Sequence, residues 1–193
     1  MQLNKLLTKQ GEEIDGPFII EPHLFKDDRG LFFESWNKEK FNELVRKNTD
    51  FVQDNFSFSQ KGVIRGLHYQ LNPFPQAKLI RCSKGKIFDV IVDIRAKSPT
   101  YGKWIGVQLS DSDHKQIWVP EGFAHGFLAL TDDVIVEYKT THKWEKEFER
   151  AINWNDKEIG IEWPILKNDK YLLSPKDQIA PFLNKAKLSG EIF

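Results

Sequence analysis

A chain of 193 residues holds one sizeable core, and its 28 basic and 28 acidic residues cancel, without the basic block of a dedicated nucleic-acid binder. Its one cysteine, Cys82, excludes an internal disulfide and a cysteine-based zinc or redox centre, which fits a reducing, cytoplasmic setting. The first eleven residues lack the apolar core of a signal peptide and no window approaches the ~18 consecutive apolar residues of a membrane span, so neither secretion nor a membrane partner is expected.

Short β-rich runs come first at 18–20 and 31–34, the second preceded by the turn Asp28-Arg29-Gly30. Residues 37–47 read as a helix, with Phe41, Leu44 and Val45 at the i, i+3, i+4 spacing and charge elsewhere. Further β-rich runs follow at 51–58, 63–70, 78–82, 87–94, 104–109, 116–119, 126–130 and 134–140. Turn residues separate them at intervals near the ~8–12 residues typical of antiparallel sandwiches and barrels. From Lys143 onward Trp, Pro and charge mix without a period, which predicts irregular chain and short turns of helix wrapped on a barrel. The reading is all-β, one domain over 1–193, with no internal repeat.

Alternation assigns faces. In 87–95, Phe88, Val90, Val92 and Ile94 form an apolar face, expected to be core, opposite a polar face with Asp89, Asp93 and Arg95 beside Ile87 and Ile91. Val134, Val136 and Tyr138 share one face, as do Lys78 and Ile80. An inner face both polar and apolar suits a small barrel with a ligand cavity.

The densest chemistry lies in 62–70 and 76–81. Arg65 and His68 are three apart and would point to opposite sides of a regular strand; Gly66 between them can supply a bulge that aims both inward. Taken singly, His68 reads as a half-buried strand histidine, Lys78 as a solvated edge residue, Tyr138 as packing and Asp177 as a turn residue. Pro120 to His125 resembles the second half of the cupin metal motif, but metal-binding cupins usually place two histidines around one residue where this chain has His68-Tyr69-Gln70. His68 and His125 alone do not complete a catalytic zinc or iron site, so no metal is expected.

Blocks spread over nearly the whole chain resemble the dTDP-4-dehydrorhamnose 3,5-epimerase family, a metal-free branch of the cupin barrels. They include Phe25 to Gly30, Val52 to Ser57, Gly62 to Gln70, Gln76 to Arg81, Gly85 to Val90, Ser98 to Gly102, Pro120 to Phe127, Tyr138-Lys139, Ile161 to Pro164 and Leu173 to Asp177. The resemblance implies a cupin-like jelly-roll barrel with a few short peripheral helices and a homodimer with exchanged N-terminal strands. It further implies an isomerase that epimerises C3 and C5 of a dTDP-4-keto-6-deoxy sugar, serving L-rhamnose synthesis without a cofactor.

By the same resemblance His68 is the base, Lys78 stabilises the enolate oxygen, Tyr138 is the opposite-face acid, and Asp177, or failing it Asp89, orients the base. Arg29, Glu34, Gln53, Asn55, Arg65, His125, Glu149 and Lys176 fall at substrate-binding positions. One stretch departs from the family pattern. After Thr141 the family continues with acidic and tyrosine residues and then a proline, whereas this chain reads His142-Lys143-Trp144-Glu145-Lys146, bordering the expected base-stacking contact. The rival readings are an epimerase of one carbon only, a metal-dependent cupin enzyme and a sugar-nucleotide binding module without catalysis.

Overall fold

The computed structural model describes residues 2–166 and 170–193. A hairpin of β1 (Gln2–Leu7) and β2 (Glu13–Glu21) opens the chain, followed by a small hairpin of β3 (Phe25–Asp27) and β4 (Gly30–Phe32) and by helix α1 (Lys38–Val45). The barrel strands are β5 (Gln53–Ser59), β6 (Ile64–Gln70), β7 (Lys78–Lys84), β8 (Lys86–Asp93), β9 (Trp104–Ser110), β10 (Gln116–Val119), β11 (Phe123–Ala129) and β12 (Val134–Thr140). A short β13 (Glu149–Ala151) and the helices α2 (Pro175–Gln178) and α3 (Leu183–Leu188) follow.

Two sheets stack face to face in the jelly-roll manner, a six-stranded one in the order β1-β2-β10-β7-β12-β5 and a five-stranded one in the order β13-β6-β11-β8-β9. Apolar side chains from both inner faces interdigitate between them, among them Ile80, Ile117 and Val136 from one and Ile87, Ile91 and Phe127 from the other. The outer face of the six-stranded sheet packs Phe18, Leu79 and Trp118 against Phe41, the buried residue of α1. That helix begins where Asn37 accepts a hydrogen bond from the Lys40 amide.

Strand 87–95 departs from the expected division into one core and one polar face. Phe88, Val90, Val92 and Ile94 pack under Ile152, Ile159, Trp163 and Leu183 of the C-terminal segment, while Ile87 and Ile91 fill the barrel interior. Both faces are buried because the wrapped segment covers one and the opposite sheet the other. Partners meet the acidic groups on the inner side in full or in part: Asp93 accepts from Arg95, Ser98 and Thr100, and one oxygen of Asp89 from His125. The charged N-terminal residues conceal β1 and most of β2, and β13 is a strand within the stretch expected to be irregular.

The bulge on β6 is present. His68 pairs with His125 and Arg65 with Phe127, three steps on β6 against two on β11. Gly66 sits at a φ of +133°, and a Cβ there would meet Gly126 Cα at 2.5 Å; a Cβ on Gly126 would meet the Arg65 carbonyl oxygen at 2.7 Å. The two glycines let the strands approach, and the extra residue brings Arg65 and His68 to one groove. Gly66→Ala is therefore expected to cost roughly 2–4 kcal/mol in denaturant unfolding, from the forced backbone and the overpacked crossing. A loss below about 0.5 kcal/mol, the range of an ordinary surface change, would show that the approach tolerates a side chain.

Candidate active site

Side chains from both sheets meet in a cavity of about 270 Å³ lined by Gln53, Asn55, His68, Gln76, Lys78, Tyr138, Trp144 and Glu149. Lys78 opens β7, a strand paired on both sides, and shares the inward face with Ile80, as alternation predicts. Its Nζ donates to the His68 carbonyl oxygen at 3.2 Å. Burial pushes its pKa down to about 8, and the Asp89 and Glu149 carboxylates hold it from falling further. Tyr138 enters from β12, where its Cα pairs with Ile80 on one side and Asn55 on the other. Burial raises its phenol above the usual range, although Arg65 works against that shift.

His68 faces these groups from the five-stranded sheet. Its Nε2 lies 2.6 Å from Asp177 Oδ1. Burial by itself would raise the Asp177 carboxyl, but the hydrogen bonds from His68 and Ser174 and the neighbouring positive charges bring its pKa below the ordinary value. An ionised carboxylate only accepts, so Nε2 donates to it, and Nδ1, without a hydrogen bond among the described residues, is the ring nitrogen turned away from that partner. Asp177 is held by local chain chemistry. Ser174 caps α2, its hydroxyl accepts from the Asp177 amide at 3.2 Å, and Pro175 occupies the first turn. That Ser-Pro-Lys-Asp run is a helix-start pattern readable from sequence.

The structure thus pairs His68 with Asp177, whereas Asp89 pairs with His125 at 2.8 Å, in the barrel interior behind His68. A second groove, lined by Arg65, Lys176 and Asp177, adjoins the cavity through His68. Arg65 donates to Ser59 Oγ and the Phe58 carbonyl oxygen, and Lys176 forms an ion pair with Glu149 at 2.7 Å. Gln53 donates to Asn55 Oδ1 at 2.8 Å on the cavity wall.

Arg29 and Glu34 are not brought to this cavity. Arg29 lies on the exposed β3–β4 hairpin, paired with Asp27, and Glu34 pairs with Lys40. Conversely, Gln76 and Trp144 line the cavity without having been singled out from sequence as site residues. Trp144 had a visible cue, a large aromatic residue six positions after Tyr138 in the stretch that departs from the family pattern.

Among the described residues no three His, Cys, Asp or Glu side chains are gathered as a metal ion would need. Gln70, at the position of a second cupin histidine, has its amide committed to backbone groups.

Two stacked sheets closing on a polar cavity make this a cupin-like barrel. A profile of the dTDP-4-dehydrorhamnose 3,5-epimerase family matches residues 11–185, and the chain belongs to that family. It is 54% identical over 165 residues to the dTDP-4-dehydrorhamnose 3,5-epimerase of Shigella flexneri, covering 86% of this chain and 90% of the relative. The crystal structure of dTDP-6-deoxy-D-glucose-3,5-epimerase from Legionella pneumophila Philadelphia 1 in complex with dTDP-4-keto-L-rhamnose superposes with a TM-score of 0.90 at 43% identity, covering 99% and 97% of the two chains. A 3'-monoepimerase from Streptomyces bikiniensis in complex with dTDP-quinovose reaches 0.87 at 33% identity, with 93% and 89% covered.

Lys78 is a cation below its pKa and neutral above it. Activity that depends on the ammonium should therefore fall as pH rises through about 8, giving kcat/KM an alkaline limb there. In Lys78→Arg, whose guanidinium stays charged, that limb should move upward even though the rate drops. A limb unmoved by the substitution would assign it to another group.

Proposed function

We propose that this chain is a cofactor-independent isomerase that epimerises C3 and C5 of dTDP-4-dehydro-6-deoxy-D-glucose to give dTDP-4-dehydro-L-rhamnose. The observation that carries the reading is the meeting of the His68–Asp177 pair, Lys78 and Tyr138 around one cavity, with base and phenol on opposing sheets. The substrate ketone at C4 makes the hydrogens at C3 and C5 acidic. His68 Nδ1 takes one of them, the C–H electron pair becomes the enolate double bond, and charge moves to O4. The Lys78 ammonium stabilises that oxygen. Tyr138 then returns a proton from the other side as the O4 charge moves back and the ketone re-forms, inverting the carbon; His68 releases its proton to solvent, Tyr138 takes one from it, and the same steps at the other carbon complete the reaction. The ketone stands at the start and at the end, so no redox cofactor is called for.

Around this centre, Arg65 and Lys176 in the adjoining groove supply positive charge for the diphosphate, and His125, oriented by Asp89, backs the sugar end. Gln53, Asn55 and Glu149 offer polar contacts on the cavity wall, and the ring of Trp144 a face for thymine. A homodimer completes the reading. Exchange of N-terminal strands would use β1, an edge strand, and the β3–β4 hairpin offers a further segment to a second copy. Its Phe25 and Phe32 are 58% and 70% exposed, and docking on a second copy would cover them and carry Arg29 and Glu34 toward that copy's nucleotide. No helix among the described residues is long and apolar enough to cross a membrane, and the buried free thiol of Cys82 suits a reducing cytoplasm.

Incubation with the dTDP-4-keto-6-deoxy sugar in D2O is expected to place deuterium at both C3 and C5. Label at C3 alone would replace the reading by that of a single-carbon epimerase. His68→Asn should lower kcat by about 10²–10⁴-fold, the usual contribution of a general base, and near wild-type turnover would refute its assignment.

A further inference from the structure

Gln70 ends β6 two residues after His68 and is 1% exposed. It is absent from the cavity wall, yet its side-chain amide is fully occupied. Nε2 donates to the Phe74 carbonyl oxygen at 2.7 Å and to that of Lys143 at 3.1 Å, while Oε1 accepts from the Glu145 amide at 2.7 Å. Two of the three bonds thus fall on the peptide groups immediately before and after Trp144, whose own amide donates to Gln53 Oε1 at 2.9 Å.

The same two loops are joined further along. Gln76 donates to the His142 carbonyl oxygen, His142 Nδ1 to that of Pro75, and the Phe74 and Phe148 rings meet edge to face with centroids 4.9 Å apart. Trp144 itself has little to hold it, being 51% exposed, so its position over the cavity depends on its backbone.

We propose that Gln70 is a positioning residue for nucleotide binding: by clamping the peptide groups on both sides of Trp144 to the end of β6, it holds that ring in place for the base without touching the substrate. The inference rests on the reading of Trp144 as the base-contacting face. It accounts for an amide at this position, since only a group with two donors and an acceptor can bridge two carbonyls and one N–H at once. It also ties the loop to the strand that carries the base.

The test is a double-mutant cycle on dTDP affinity, measured by titration calorimetry, with steady-state kinetics on the dTDP-4-keto-6-deoxy sugar and thermal unfolding to verify the fold. Gln70→Met should weaken dTDP about tenfold, equivalent to about 1.4 kcal/mol, and raise KM in parallel while kcat falls by less than about threefold. Because Gln70 acts through Trp144, Trp144→Ala with Gln70→Met should bind dTDP no more weakly than Trp144→Ala alone. Additive losses, or a fall in kcat with dTDP affinity unchanged, would overturn the proposal. Wild-type protein that fails to bind dTDP would remove the nucleotide reading and the proposal together, whereas additivity in a protein that binds dTDP removes the proposal alone. Should Gln70→Met not fold, Gln70→Glu keeps the size and the acceptor, loses both N–H donors, and carries the same cycle.

Discussion

The hydrogen bond between His68 and Asp177 spans 109 residues of sequence and makes the barrel and its C-terminal wrapping one device. His68 belongs to the five-stranded sheet; Asp177 belongs to a four-residue helix with too few internal bonds to stand alone. That helix is fixed because the chain leading to and from it buries Trp163, Leu183 and their neighbours against Ile64, Val90 and Val92 of the sheet. Apolar burial on the outer face of the sheet thus sets a proton on the inner one. The carboxylate accepts from Nε2 and so fixes the orientation of the ring, with Nδ1 turned away from it.

A second constraint is charge inside the barrel. Lys78 and Asp89 are both buried, and an isolated ammonium in such a place would give up its proton. Asp89 and Glu149 oppose that, Asp89 without a direct ion pair to Lys78 among the described residues. One of its oxygens accepts from His125 and the other is buried without a hydrogen-bond partner among the described residues, so its charge is only partly satisfied and continues to favour the ammonium. The resulting pKa, about 8, leaves Lys78 charged at neutrality yet poorly solvated. A donor in that state gains most from an oxygen whose negative charge grows during reaction.

Periodicity and turn chemistry disclosed most of the central strands, because alternation survives wherever one face meets the barrel interior. They failed where burial is decided by distant chain. Both faces of 87–95 are covered since residues beyond 150 fold back over the sheet, and no local pattern announces that. β1 stayed hidden because it is an edge strand with little burial of its own. At the site, His68, Lys78 and Tyr138 were individually unremarkable, and a resemblance spread along the chain was needed to group them. Gly66 was a local exception, since a glycine between two residues that must face one way is a bulge signal in itself. Arg29 and Glu34 lie away from the cavity, paired with Asp27 and Lys40, and no local pattern reveals where that stretch sits in space.

Gln70 and Lys78 show how this cupin-like barrel divides hydrogen bonding and charge between its two sheets. A metal-binding cupin usually places two histidines around one residue of a strand to hold an ion. Here His68 is turned to a carboxylate, His125 to another, and the amide of Gln70 to three backbone groups, so none of these three presents an uncommitted pair of ligands to a shared ion. Lys78 enters from the opposite sheet, directed inward by the alternation that buries Ile80. The imidazole and the ammonium thus stand on opposite walls of one cavity, His68 on the five-stranded sheet and Lys78 on the six-stranded one.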